Sequence, residues 1–176
     1  SYGGGVALCA TEKAPQRIRA LLLIGSLGPE RPEGGLRSLE QLLPLLEPLQ
    51  RWAAASGFLA RPGIRQMGRL LFSGEAPDWW GEHTLSMLAL PGVVHTWTME
   101  TSHRDVSVLH PEAVTVPVHL LHGTADRLSP YPIAEDLQRR LPISVLVRVE
   151  GGSHMLPNTH STLVVERVRE LASDAG

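Results

Sequence analysis

Three short apolar segments, separated by helix-like stretches, constrain the fold of this chain more than any other feature. They cover residues 20–24, 116–121 and 144–149, and glycine follows each within a few residues. Apolar runs of this length are typical of strands buried on both faces. Helical patterns between such strands predict crossover connections and a parallel sheet. The sequence therefore predicts an α/β fold.

The helical segments fall into two groups. Beside the strands we predict a glycine-rich turn at Gly3, Gly4 and Gly5 that runs into a short buried helix, a helix over 131–141 and an amphipathic closing helix over 159–172. Leucines at three- to four-residue spacing over 36–52, and patterns at 64–72, 78–90 and 93–103, predict further helices. The expected organisation is a core made of residues 1–27 and 111–176, with a helical insertion at 28–110.

Composition excludes several classes of function. Sixteen basic and eighteen acidic residues are scattered along the 176-residue chain, so a nucleic-acid partner is not expected. The longest apolar runs are much shorter than the roughly 20 residues that cross a bilayer, so no membrane span is expected. Cys9 is the single cysteine, which precludes an intrachain disulfide and favours a cytoplasmic location.

Metal and cofactor binding are not expected either. His119 and His122 are three residues apart on a predicted strand, so their side chains point to opposite faces. No lysine with serine or threonine follows the early glycines, which argues against a phosphate-binding loop.

Three polar side chains stand where the predicted sheet would hold an active site. Ser1 precedes the first helix, while Asp126 and His154 each follow a predicted strand by a few residues. Active residues of open α/β sheets gather at the carboxyl ends of the strands. A serine, a carboxylate and a histidine can together perform nucleophilic catalysis. Asp105 is the reserve candidate for the acid.

The order of these motifs resembles the α/β-hydrolase fold, in particular the proline iminopeptidase and cofactor-free haloperoxidase group. Ser1-Tyr2-Gly3 matches the second half of the nucleophile elbow G-x-S-x-G. The acid loop and the histidine loop of that family are similar to His122-Gly-x-x-Asp126-x-x-x-Pro130 and Gly152-Ser-His154.

The resemblance implies a role for each motif. Ser1 would be the nucleophile, His154 the general base, and Asp126 the group that orients the imidazole. The backbone N–H of Tyr2 would form part of the oxyanion hole, with the second donor on an earlier loop. The helical block at 28–110 would be a lid, and the reaction would need no cofactor.

A sheet of three strands is small for this fold, so we expect an amino-terminal chain of the same precursor to complete it. A serine hydroxyl can attack the carbonyl that precedes it and release itself as a new amino terminus, which makes self-cleavage before Ser1 a hypothesis. An N-terminal-nucleophile hydrolase, with the α-amine as base, is the alternative fold. It requires long antiparallel strands of alternating pattern, and this chain has short apolar ones.

The functional interpretation is a serine hydrolase that cleaves an ester, an amide or a lactone through an acyl-enzyme. Two alternatives remain open at the level of sequence. An acyltransferase would use the same triad with another acceptor, and a hydrolase-like binding subunit would use none of it.

Overall fold

The computed structural model describes residues 2–29, 48, 61–72, 77, 79–88 and 109–174. The chain divides into two compact units, one made of Ser1–Pro32 and His103–Gly176 and the other of Glu33–Ser102. In the described ranges, no helix is long and apolar enough to cross a membrane. That the second unit serves as a lid stays a prediction.

Three strands and six helices are defined in the described residues. In chain order they are α1 Tyr2–Lys13, β1 Leu21–Ile24, α2 Arg61–Phe72, α3 Trp79–Leu88, β2 Val118–Gly123, α4 Tyr131–Arg140, β3 Ser144–Val149, α5 Leu156–Thr159 and α6 Ser161–Asp174. Single 3-10 turns at Pro15–Arg17 and Pro111–Ala113 precede β1 and β2.

The three strands form one parallel sheet in the order β1-β2-β3. Leu23 is paired with Leu120, and Leu120 with Leu146, so one register row crosses the whole sheet. A parallel sheet with helical crossovers confirms the predicted α/β fold. All three carboxyl ends consequently meet at one edge.

Helices cover the sheet on both faces. On one face α1 and α4 pack against a cluster centred on Leu8, Leu23 and Leu120, with Leu137 fully buried. On the other face α5 and α6 cover Leu121 and its neighbours. Full burial of a leucine side chain contributes roughly 1.5–3 kcal/mol, so these two layers hold the strand ends in place.

The second unit contains a pair of helices joined by aromatic contacts. The Phe72 ring of α2 meets the Trp80 ring of α3 edge to face at 5.3 Å. The indole N–H of Trp80 donates to the Ile64 carbonyl at 3.1 Å. Apart from residue 48, the segments 36–52 and 93–103, where further helices were expected, lie outside the described residues.

Two of the differences between the predicted and observed elements concern the helix and the strand next to the predicted active site. The early glycines belong to α1 and not to a turn. A Cβ at Gly4 would collide with the Ser26 side chain. The glycine therefore permits close packing of the helix on the loop after β1. The second strand begins at Val118, because Pro117 cannot donate to the ladder, and it continues two residues beyond the predicted end, through Gly123.

Candidate active site

The loop after β2 places Asp126 by backbone hydrogen bonds. Its Oδ1 atom accepts the N–H groups of Leu128 and Ser129, each at 2.9 Å. Such a turn is the local structure that aspartate favours, because its short side chain replaces a backbone acceptor. Oδ1 thus accepts hydrogen bonds from its own loop, and Oδ2 is left to contact another residue.

The loop after β3 is joined to the loop after β2. Ala125 N–H donates to the Gly152 carbonyl at 2.9 Å, and Thr124 N–H donates to the Val149 carbonyl at 3.0 Å. A Cβ at Gly123 would overlap the Gly152 carbonyl, so the two backbones can approach this closely only with glycine there. This contact brings His154 toward the acid loop.

The structure brings Asp126 and His154 together. Oδ2 of Asp126 lies 2.8 Å from Nδ1 of His154, with no exposed area on the acid side chain and 10% on the histidine. A carboxylate can only accept at this contact, so Nδ1 carries the proton. Nε2 is then the nitrogen that can take a proton from a nucleophile.

Gly25 supports this pair from the end of β1. Its φ is +52°, and a Cβ there would lie 3.3 Å from both Asp126 Oδ2 and His154 Nδ1. Glycine adopts this left-handed backbone without steric cost. Each of the three strand ends therefore contributes one element of the site.

A second histidine lies buried behind the acid. Nε2 of His122 is 2.6 Å from the Ser129 carbonyl oxygen and 3.5 Å from Asp126 Oδ2. Burial lowers the pKa of His122 below its usual range and outweighs the opposing effects of the Ser129 carbonyl and the Asp126 carboxylate. His122 is therefore neutral at pH 7, and its contact with Asp126 is not an ion pair.

The structure describes some of the site residues predicted from sequence and not others. It joins Asp126 to His154, and it begins α1 at Tyr2. Ser1 and the reserve acid Asp105 lie outside the described residues. Their predicted roles stay predictions.

Sequence reasoning missed the supporting residues Gly25, His122 and Ser129. The signal for His122 was present, because it opens the acid-loop motif that contains Asp126, but we considered it only as a metal ligand and assigned it no role in the site. Among the described residues, no cluster of histidine, cysteine, aspartate or glutamate could hold a metal ion.

Comparison with known sequences identifies the family of this chain. The profile described as "Alpha/beta hydrolase family" matches residues 1–167. The chain therefore belongs to the α/β-hydrolase family, as the order of its motifs suggested.

Two curated proteins illustrate the relationship. Protein ABHD8 of Mus musculus is 27% identical over 94% of this chain and 37% of its own length. The 2-hydroxymuconate semialdehyde hydrolase of Pseudomonas putida is 22% identical over 99% of this chain and 61% of its own length. The chain thus spans less than two thirds of either relative.

Solved structures show the same fold. The meta-cleavage product hydrolase from Pseudomonas fluorescens IP01 superposes with a TM-score of 0.71 at 16% identity, over 100% of this chain and 63% of that one. A serine hydrolase involved in carbazole degradation gives 0.67 at 14% identity, over 97% and 60% of the two chains.

Proposed function

We propose that this chain carries the catalytic triad of a serine hydrolase that cleaves an ester, an amide or a lactone. The hydrogen bond between Asp126 and His154 is the observation that carries the proposal. A buried carboxylate on Nδ1 fixes the tautomer that a general base needs, and it stabilises the imidazolium that forms during the reaction.

The nucleophile in this proposal is Ser1. In the sequence it immediately precedes Tyr2, where α1 begins, and the Ser-Tyr-Gly match to the nucleophile elbow supports the assignment. In the family elbow the residue after the nucleophile donates its N–H to the oxyanion, and Tyr2 holds that position.

The proposed reaction has two balanced stages. Ser1 Oγ bonds to the acyl carbon while His154 Nε2 takes its proton, and collapse of the tetrahedral intermediate expels the leaving group with that proton. Water then attacks the acyl-enzyme, gives a proton to His154, and releases the acid as Ser1 recovers its proton. The Asp126 carboxylate stays ionised throughout.

Further strands beside β1 are part of the proposal. In the described residues the sheet has three strands with β1 at one edge, and the relatives are longer than this chain. We propose that an amino-terminal segment supplies these strands and the second oxyanion donor, and that residues 28–110 form the lid.

Intact-mass analysis tests the hypothesis that a precursor is cleaved before Ser1. The hypothesis predicts two chains and is contradicted by one uncleaved polypeptide.

A fluorophosphonate probe tests the nucleophile in the complete protein. We expect the probe to label Ser1, because an activated serine attacks phosphorus as it attacks an acyl carbon. The Ser1→Ala variant should not be labelled, and His154→Ala should reduce the rate of labelling by about 10³-fold or more. His160→Ala is the matched control, because that half-buried histidine at the end of α5 contacts Thr159 and, among the described residues, forms no hydrogen bond with Asp126 or His154.

The same experiment separates the proposal from a binding subunit. A folded protein with no label on Ser1 would favour the binding function. Labelling that is unchanged in His154→Ala would remove the base assignment. Product analysis with a competing alcohol or amine then distinguishes hydrolysis from acyl transfer.

A further inference from the structure

His122 is buried next to the candidate acid, and its ring makes specific packing and hydrogen-bond contacts there. It is 2% exposed and its ring meets Tyr131 edge to face at 6.0 Å, so the imidazole is oriented by packing. The Ser129 carbonyl oxygen, 2.6 Å from Nε2, can only accept a hydrogen bond. Nε2 of His122 is therefore the protonated nitrogen, and the ring is a donor directed into the acid loop.

Ser129 transmits this contact to the acid. Its N–H donates to Asp126 Oδ1 at 2.9 Å, its carbonyl accepts from His122, and its hydroxyl donates to the Ser26 carbonyl at 2.8 Å. Ser129 has no exposed area, so water cannot replace these partners without opening the loop. Three hydrogen bonds thus fix Ser129, which together with Leu128 holds Asp126 Oδ1.

We propose that His122 is a positioning residue for the acid of the triad. By holding the Ser129 carbonyl, the imidazole keeps the acid loop closed and Asp126 Oδ2 directed at His154 Nδ1. The 3.5 Å separation between His122 Nε2 and Asp126 Oδ2 adds a donor dipole on the same side of the carboxylate. The expected effect of His122 on catalysis rests on the proposed function. Its effect on the orientation of Asp126 does not.

This role differs from that of a core histidine. A residue that only fills space can be replaced by a ring of similar volume, whereas a positioning donor can be replaced only by another donor. His122→Phe keeps a ring beside Tyr131 and removes the N–H. His122→Gln removes the ring and returns an amide N–H at a similar distance from the backbone.

The experiment compares these two variants in the complete protein by ¹H NMR and kinetics. The wild-type protein should show a downfield signal from the His154 Nδ1 proton held by Asp126. In His122→Phe we expect that signal to broaden or disappear and kcat to fall about 10- to 100-fold, with KM within about twofold. In His122→Gln we expect the signal to remain and most of kcat to return.

Opposite results would overturn the proposal. A His122→Phe variant with the wild-type signal and wild-type kcat shows that the N–H does not position Asp126. Equal losses in the two variants show that ring packing is what matters.

A measurement on the wild-type protein keeps the proposal testable even if His122→Phe does not fold. Long-range ¹⁵N–¹H correlation at pH 7 should show His122 as the neutral tautomer protonated at Nε2, and a proton at Nδ1 instead would overturn the proposal. This result does not depend on Ser1. If the probe fails to label Ser1 while His122 has the expected tautomer, the proposed function fails and the positional geometry stands.

Discussion

At the scale of single residues, the candidate site depends on a glycine that carries no chemistry. Gly25 has a backbone conformation that L-residues rarely adopt, and it lies beneath the bond between Asp126 and His154. A side chain there would strain the backbone and press on both partners of that bond. Residue 25 must therefore be glycine for two reasons, its left-handed backbone and the lack of space for a side chain.

Replacing Gly25 with alanine tests this constraint. The left-handed backbone should cost about 1–2 kcal/mol of folding free energy. The methyl group should displace the acid or the base by a few tenths of an ångström, and we expect kcat to fall by about tenfold or more. Urea denaturation and steady-state kinetics measure the two effects separately.

Gly63→Ala is the matched control for that substitution. A Cβ at Gly63 meets nothing within 4 Å on the α2 surface, so we expect wild-type kcat and a gain of about 0.5–1 kcal/mol. A Gly25→Ala enzyme with wild-type kcat would show that the pair tolerates the added methyl group.

At the scale of elements, the contact between the loops after β2 and β3 decides whether acid and base meet. Gly123 ends β2 and lies against the Gly152 backbone, which is rigid compared with a side chain. The two loops belong to adjacent strands, paired through Gly123 and Val149. A small change at this contact consequently moves a whole loop.

Gly123→Ala should therefore destabilise the protein more than a change on a helix surface. We expect a loss of about 1–3 kcal/mol, because the overlapping atoms are backbone carbon and oxygen. The measurement is the midpoint of urea denaturation at constant slope. Gly81→Ala on α3 is the control, since a Cβ there meets nothing within 4 Å, and equal midpoints in the two variants would contradict the prediction.

The elements themselves were largely predictable from sequence. The third strand matches its predicted bounds, and the first begins one residue later than expected. Short apolar runs followed closely by glycine are a strong local signal for such strands. Gly3, Gly4 and Gly5 were misinterpreted because a glycine run has the same local signature in a turn and in a closely packed helix. Only the tertiary contact between Gly4 and Ser26 distinguishes the two.

At the scale of the whole molecule, the buried His122 links folding to pH. The imidazole is neutral in the folded state and its pKa is lowered by burial, whereas in the unfolded chain the pKa is near 6.5. Below that value the unfolded chain binds a proton that the folded protein resists. The stabilisation is complete above about pH 6.5 and is lost as the pH falls toward the lowered pKa.

We therefore expect the free energy of unfolding to decrease between pH 6.5 and the lowered pKa of His122, by at most about 1.4 kcal/mol per pH unit from this group. Urea denaturation across that range measures it. His122→Gln cannot titrate and should lose this part of the slope. An unchanged slope in that variant would assign the pH dependence to other groups.

The order of the motifs in the sequence predicted that Asp126 and His154 would lie together, but it did not predict the hydrogen bonds that support them. Asp126 and His154 follow neighbouring strands, and parallel topology puts their loops at one edge. The bonds from Ser129 to Ser26 and to His122 depend on side-chain directions inside a closed loop. No local pattern encodes those directions, so they emerge only from the packed structure.

The candidate site is built from the ends of three strands, so loss of activity would detect the opening of any one of them. β3 is at an edge of the described sheet, and His154 follows it. Edge elements open more readily than central ones. A molecule in which β3 has frayed would keep its two helical layers and most of its spectroscopic signature, yet its base would have separated from its acid. Inactivation on heating should accordingly precede global unfolding.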